Sequence, residues 1–251
     1  MKAILLGSGT SVPSPRRGAP GLLLESDQSA LLIDPGPGSV TRLAQVGLEP
    51  TAITAVLVTH LHPDHVNDLV PLLFCLRNPR YGEEPSWPRL IGPPGFAGFY
   101  RRLRAPFEEW IPAAGEGVEP EEWRGEGIVA GDCLLDAKPV RHLGSSLAWR
   151  ITDEWGGVVA FSGDTEECAG IAAVAEQAGL LFLECSAPGG TRIPGHLDPG
   201  GVSRIVRKAQ VRRCVLVHLN PECDEVDLLG QIDRDVRPRV EVGEDLREYS
   251  S

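Results

Sequence analysis

The sequence predicts an α/β fold made of two halves, each a sheet with helices, packed sheet against sheet as one domain over residues 1–251. Three observations carry this. Short apolar runs of strand length, bounded by Gly, Pro, Ser and Asp, recur along the chain. Helix-length segments interleave with them. No low-complexity stretch, short-period repeat or flexible linker divides the halves.

The elements follow in order. Lys2–Leu6, Leu22–Glu25, Ala30–Ile33 and Ala55–Val58 read as buried strands. Apolar residues at 66, 69, 70, 72, 73, 74 and 76 fit a buried helix over Val66–Leu76, with Pro63 acceptable in its first turn. Ala105–Gly127 carries seven glutamates and one arginine among Pro and Gly. It reads as a surface excursion rimming a site, with Trp110 and Trp123. Strands resume at Cys133–Val140, Leu147–Ile151, Val158–Phe161, Leu180–Glu184 and Cys214–Val217. Helices are expected at Glu167–Ala178, Pro199–Ala209 and Asp224–Asp233.

Composition narrows the function. Hydrophobic residues at 42% and charged residues at 24% are ordinary globular usage. No stretch approaches the roughly 18 apolar residues of a membrane span, and Ala3–Leu6 is too short for a signal-peptide core, so a cytoplasmic protein with no membrane partner is expected. The six cysteines lack CxxC spacing and sit mostly in apolar runs, which suits reduced thiols. A net charge of −11 disfavours nucleic acid as a dedicated partner.

The six histidines matter for where they fall. Thr59-His60-Leu61-His62-Pro63-Asp64-His65 places four potential metal ligands directly after an apolar strand. On extended chain His60 and His62 point the same way, while Asp64 and His65, at the turn into the helix, can face a second position. Further polar residues end apolar strands: His142 after Cys133–Val140, Asp164 after Val158–Phe161, and His218 after Cys214–Val217. Strand ends that meet at one sheet edge build a site from distant sequence, and imidazole with carboxylate suits zinc, manganese or iron. Taken singly, Asp164 can be a helix cap and His142 a loop histidine.

In these residues the sequence resembles the metallo-β-lactamase-fold hydrolases. The HxHxDH motif of His60, His62, Asp64 and His65 is followed in order by His142, Asp164 and His218, with Leu32-Ile33-Asp34-Pro35-Gly36 upstream. The resemblance implies a four-layer αββα sandwich and two divalent ions, zinc first, with manganese and iron as alternatives. One ion would be held by His60, His62 and His142, the other by Asp64, His65 and His218, with Asp164 bridging. Asp34 is a candidate for fixing a ligand imidazole, or a turn former before Pro35-Gly36.

Departures within the superfamily discriminate. An aspartate at position 164 argues against the β-lactam-cleaving branch, and His62 argues against the flavodiiron branch. Leu6-Gly7-Ser8-Gly9-Thr10-Ser11, Ile91-Gly92-Pro93-Pro94-Gly95 leading into a helix, Glu184-Cys185-Ser186 and Gly195-His196-Leu197 are similar to the ribonuclease Z and phosphodiesterase branch. There, the histidine matching His196 contacts the scissile phosphate and the acidic residue matching Glu184 orients it. The Gly7–Thr10 turn is either a plain turn or a source of backbone amides near the site. His142 and Asp164 are only 22 positions apart, too close for a transfer-RNA-gripping arm.

The resemblance thus implies a phosphodiesterase acting on small anionic diesters, such as cyclic nucleotides, by attack of a metal-bridging hydroxide. Asp64, His196 and Glu184 would carry the catalysis. The alternatives are a lactone, thioester or phosphotriester hydrolase, a ribonuclease Z-like nuclease, and a non-catalytic binder. A homodimer is also implied by the resemblance.

Overall fold

The computed structural model describes residues 1–82 and 86–250. One sheet contains β1 (Lys2–Gly7), β2 (Gly21–Glu25), β3 (Ala30–Ile33), β4 (Ala55–Leu57), β5 (Arg89–Gly92) and β6 (Pro120–Glu122). The other contains β7 (Ile128–Ala130), β8 (Cys133–Pro139), β9 (Leu147–Asp153), β10 (Val158–Phe161), β11 (Leu180–Glu184), β12 (Arg213–Val217) and β13 (Val240–Val242). A last strand, β14 (Glu248–Ser250), returns to pair with β1. The spatial orders are β14-β1-β2-β3-β4-β5-β6 and β13-β12-β11-β10-β9-β8-β7. Both sheets are mixed: antiparallel hairpins lead into parallel strands, β3 to β6 in one and β10 to β13 in the other.

The parallel strands explain the continuous apolar runs, because they are buried on both faces. In β11, Leu180 and Phe182 face the opposite sheet, and Leu181 and Leu183 face the helices α5 (Ala169–Ala175) and α6 (Pro199–Ala209). The first sheet does the same. Leu5, Leu22, Leu24 and Leu57 enter the intersheet core with Trp149, Phe161 and Phe182, while Leu6, Leu23 and Val56 lie under α1 (Ser39–Gln45), α3 (Leu69–Leu76) and α4 (Phe96–Arg104). Each fully buried Leu or Phe contributes about 1.5–3 kcal/mol of transfer free energy. The result is the expected α/β sandwich of helix, sheet, sheet and helix layers. Among the described residues no helix is long and apolar enough to cross a membrane.

Several local expectations are corrected. The helix expected over Val66–Leu76 is split into α2 (Pro63–Val66) and α3. Between them the Asp68 amide donates to the Pro35 carbonyl and its carboxylate accepts the Val40 amide, bonds that redirect the chain to anchor the loop before α1. The segment Glu167–Ala178 is helical only over Ala169–Ala175, because Cys168 is extended and Gln177 is left-handed, with φ 51°. Asp224–Asp233 is not an α-helix but lies across two 3-10 turns, Pro221–Glu225 and Leu229–Gln231. Leu228 and Ile232 are buried at helical spacing, yet Asp227 accepts the Gly230 amide at 2.8 Å and holds a turn instead.

The Ala105–Gly127 excursion also differs from expectation. Its Pro120–Glu122 stretch is the edge strand β6, and Trp123 is buried in the intersheet core instead of rimming a site. Phe96 and Tyr100 are buried beneath the first sheet. Trp110 is exposed and meets Phe74 edge to face. All six cysteines are free thiols, four of them buried.

Candidate metal centre

The centre lies where the parallel strands of both sheets end. Asp34 follows β3, His60 follows β4, Asp164 follows β10, Glu184 ends β11 and His218 follows β12. In mixed and parallel sheets this carboxyl edge is where loops from many strands converge. His62 sits before Pro63, which opens α2, so one short turn brings His60, His62, Asp64 and His65 together. Gly36 makes room for that turn: a Cβ there would meet the Asp64 carbonyl oxygen at 2.0 Å.

The ligand atoms fall into two sets. His60 Nε2 and His142 Nε2 lie 3.1 and 3.2 Å from His62 Nδ1. They lie 3.4 and 3.6 Å from Asp164 Oδ2. On the other side, His65 Nε2 and His218 Nε2 lie 3.4 and 3.3 Å from Asp164 Oδ1, and each is 3.7 Å from Asp64 Oδ2. Four ligands about 2.0–2.2 Å from a tetrahedral ion stand about 3.4 Å from one another, which is the spacing seen here. The two oxygens of Asp164 thus face different sets, the placement a bridging carboxylate requires.

Unsatisfied atoms point to the same centre. His65 Nε2, His218 Nε2 and Asp164 Oδ1 are buried without a hydrogen-bond partner. A buried polar atom left unpaired costs about 1–3 kcal/mol, and a cation that takes the two imidazole nitrogens and the carboxylate oxygen as ligands relieves all three. The residues present therefore fit two divalent ions.

Four of the five ligand imidazoles, all but His62, are turned by a bond from the other nitrogen. His65 Nδ1 donates to Asp34 Oδ2 at 2.8 Å. His60 Nδ1 donates to Thr59 Oγ1 at 3.0 Å, and the Thr59 hydroxyl donates to Asp34 Oδ2 at 2.6 Å. His142 Nδ1 donates to the Gly195 carbonyl at 3.0 Å. His218 Nδ1 donates to Ser186 Oγ at 2.9 Å, and that hydroxyl donates to Glu184 Oε2 at 2.8 Å. The roles of Thr59 and Ser186 were not assigned from the sequence. The signal for Ser186 was its spacing: two residues past Glu184, on extended chain, it falls on the same side.

Glu184 is fully buried and does not reach the open site. It accepts the amides of Thr165 and Leu197 at 2.6 and 3.0 Å, and its Oε1 holds His196 Nδ1 at 3.0 Å. It is a positioning residue. His196 lies beside both sets, its ring stacked on His218 with centroids 5.3 Å apart and meeting His142 at 4.9 Å. The Gly7–Thr10 turn supplies no free amide from Ser8 or Gly9, which donate to Asp245 and to the Gly18 carbonyl.

The electrostatics follow from the crowding of ionisable groups. Burial favours the neutral Asp64 carboxyl, yet the neighbouring His218 and His65 hold it down at about 2. Burial likewise opposes ionisation of Asp164, but His218 and His65 keep it well below the usual carboxylate range. Burial would neutralise His65, and the Asp164 and Asp34 carboxylates overcome it. Burial pushes His142 down to about 4, a neutral ring with a lone pair to give. Burial also lowers His196, but the hydrogen bond and charge of Glu184 raise it overall.

Comparison with known proteins agrees with this geometry. A family model described as a beta-lactamase superfamily domain matches residues 30–219, an interval that contains every residue from Asp34 to His218 discussed above. A Ribonuclease Z of Mycobacterium avium (strain 104) is 30% identical over 201 residues, covering 72% of this chain and 69% of that protein. The metallo-beta-lactamase fold protein YhfI from Bacillus subtilis superposes with TM-score 0.82 at 19% identity, over 99% of this chain and 98% of that one. A diphosphatase from the PhnP family superposes with TM-score 0.71 at 19% identity, over 100% and 97%. The chain belongs to the metallo-β-lactamase superfamily and has its hydrolase fold.

Proposed function

We propose that the protein is a phosphodiesterase for small anionic diesters that depends on two divalent ions, zinc first. The observation that carries this reading is the Glu184–His196 pair beside the ligand cluster. When bound, two such ions supply an activated water near neutral pH and neutralise charge on the phosphoryl oxygens. His60, His62, His142 and Asp164 Oδ2 would hold one, and Asp64, His65, His218 and Asp164 Oδ1 the other.

The chain's own part is orientation and proton transfer. Because Nδ1 of His196 is held by Glu184, the opposite nitrogen is the one free to meet substrate. Glu184 favours the protonated ring, so His196 can donate to a phosphate oxygen. As water oxygen bonds to phosphorus and the ester oxygen departs, His196 can pass its proton to that leaving oxygen.

A second reading, a ribonuclease Z-like nuclease, is supported by the 30% identity to Ribonuclease Z. The small-diester reading is supported by the net charge of −11 and by the β9–β10 hairpin, which fills the interval from His142 to Asp164 with no protruding arm. Metal content and cleavage of bis(p-nitrophenyl) phosphate, a transfer-RNA precursor and a lactone, by wild type and Asp64→Ala, test both readings. The expected result is about two metals per wild-type chain and diester cleavage lost in the variant. Precursor cleavage without small-diester turnover would favour the nuclease, and lactone cleavage alone would refute both.

A further inference from the structure

A groove of about 350 Å³ opens beside the metal centre, and His196 lines both. Its walls carry three guanidiniums and three carboxylates, but their partners are unequal. Arg204 is paired with Glu167 at 2.7 Å, and Asp198 caps α6 by accepting the Gly201 amide at 2.8 Å. Glu166 is committed to the turn before His196, where its Oε1 accepts the Gly195 amide at 3.1 Å. Arg141 and Arg192 share only this carboxylate among the described residues, at 3.9 and 3.7 Å, both beyond hydrogen-bond reach. Their side chains are 69% and 86% exposed.

Their placement is also specific. Arg141 immediately precedes the ligand position His142, and its backbone is fixed there: its carbonyl accepts the Glu166 amide at 2.9 Å and its amide donates to Thr165 Oγ1 at 3.3 Å. Arg192 stands four residues before His196 on the loop that carries it. Arg141 and Arg192 line the same groove as His196, which leaves that groove open to the remainder of a substrate whose reacting phosphorus lies against His196. Each guanidinium makes only a long ion pair to Glu166, and such forks match a phosphate better than any neutral group. In a protein of net charge −11 the groove, with three guanidiniums and three carboxylates, is charge-balanced and so less acidic than the chain as a whole.

Resting on the phosphodiesterase reading, we infer that Arg141 and Arg192 form a subsite for a second, terminal phosphate on the substrate. The preferred substrate class is then a small diester bearing a phosphate monoester on the portion away from the leaving group. Arg141 and Arg192 set specificity and take no part in bond breaking.

The test compares thymidine 5′-(p-nitrophenyl phosphate) with its 3′-phosphorylated counterpart, on wild type and on R141Q/R192Q, with folding checked by thermal melts. The expected wild-type preference for the 3′-phosphorylated ester is at least about tenfold in kcat/KM, carried in KM, and falls to within about twofold of one in the variant. Lack of preference in wild type, or a preference unchanged in the variant, overturns the inference. If neither ester turns over, the phosphodiesterase reading fails separately. Calorimetric binding of thymidine 3′,5′-bisphosphate against thymidine 5′-monophosphate then decides the subsite by the same ratio. Loss of RNA cleavage in the variant, without a 3′-phosphate preference in wild type, would assign the groove to a nucleic-acid backbone and refute this inference.

Discussion

Replacing Asp34 by Asn separates hydrogen-bond chemistry from packing. Asp34 is fully buried at a left-handed φ of 48°, a conformation that Asn tolerates equally, so the backbone is not the variable. As a carboxylate it accepts three bonds: Thr59 amide at 2.7 Å, Thr59 hydroxyl at 2.6 Å and His65 Nδ1 at 2.8 Å. Whichever way an amide is turned, its NH₂ meets at least one of these donors. Each buried donor left unpaired costs about 1–3 kcal/mol. If His65 adapts by moving its proton to Nε2, that proton points at Asp164 Oδ1, 3.4 Å away, and the ligand lone pair is lost. Loss of such a supporting bond lowers metal affinity about 10- to 100-fold, or about 1.4–2.8 kcal/mol. Competition against a chromophoric zinc chelator measures the affinity, and urea melts of metal-free protein measure the hydrogen-bond cost separately. Asp34→Asn protein that binds zinc within about threefold of wild type, with under about 0.5 kcal/mol lost in the melts, would refute the reasoning.

Ser186→Ala should leave the fold intact but free the His218 ring and remove one donor from Glu184, lowering affinity for the second zinc about tenfold; an unchanged stepwise zinc titration would dismiss this role. Asp132 joins the two sheets by accepting the Ser26 and Ser29 hydroxyls at 2.6 and 2.8 Å, bonds that outweigh the opposing effect of burial and hold it at about 2. Because its folded value is depressed, its contribution is present above about pH 4 and lost as pH falls toward 2, worth less than about 1 kcal/mol after solvent screening. Asp132→Ala should therefore cost stability in urea melts at pH 7 and less at pH 3, and an equal cost at both would count against the charged bonds.

The sequence by itself determined the strands whose apolar runs are buried on both faces, and the local cluster from His60 to His65. It also placed His142, Asp164 and His218 at strand ends, since a strand end projects its side chain whatever the partner. These are properties of spacing and polarity along the chain. Tertiary structure decided what depends on distant partners. Pro120–Glu122 has no apolar pattern and becomes β6 only by pairing with β5, while Leu228 and Ile232 have helical spacing and are buried without a helix. At the centre, the division of Asp164's two oxygens between ligand sets and the chain from Glu184 through Ser186 to His218 arise from contacts across β10, β11 and β12. The different standing of Arg141 and Arg204 is likewise a matter of which carboxylate lies within reach. Local spacing fixes which groups are available, and the packing of the two sheets fixes which atoms meet.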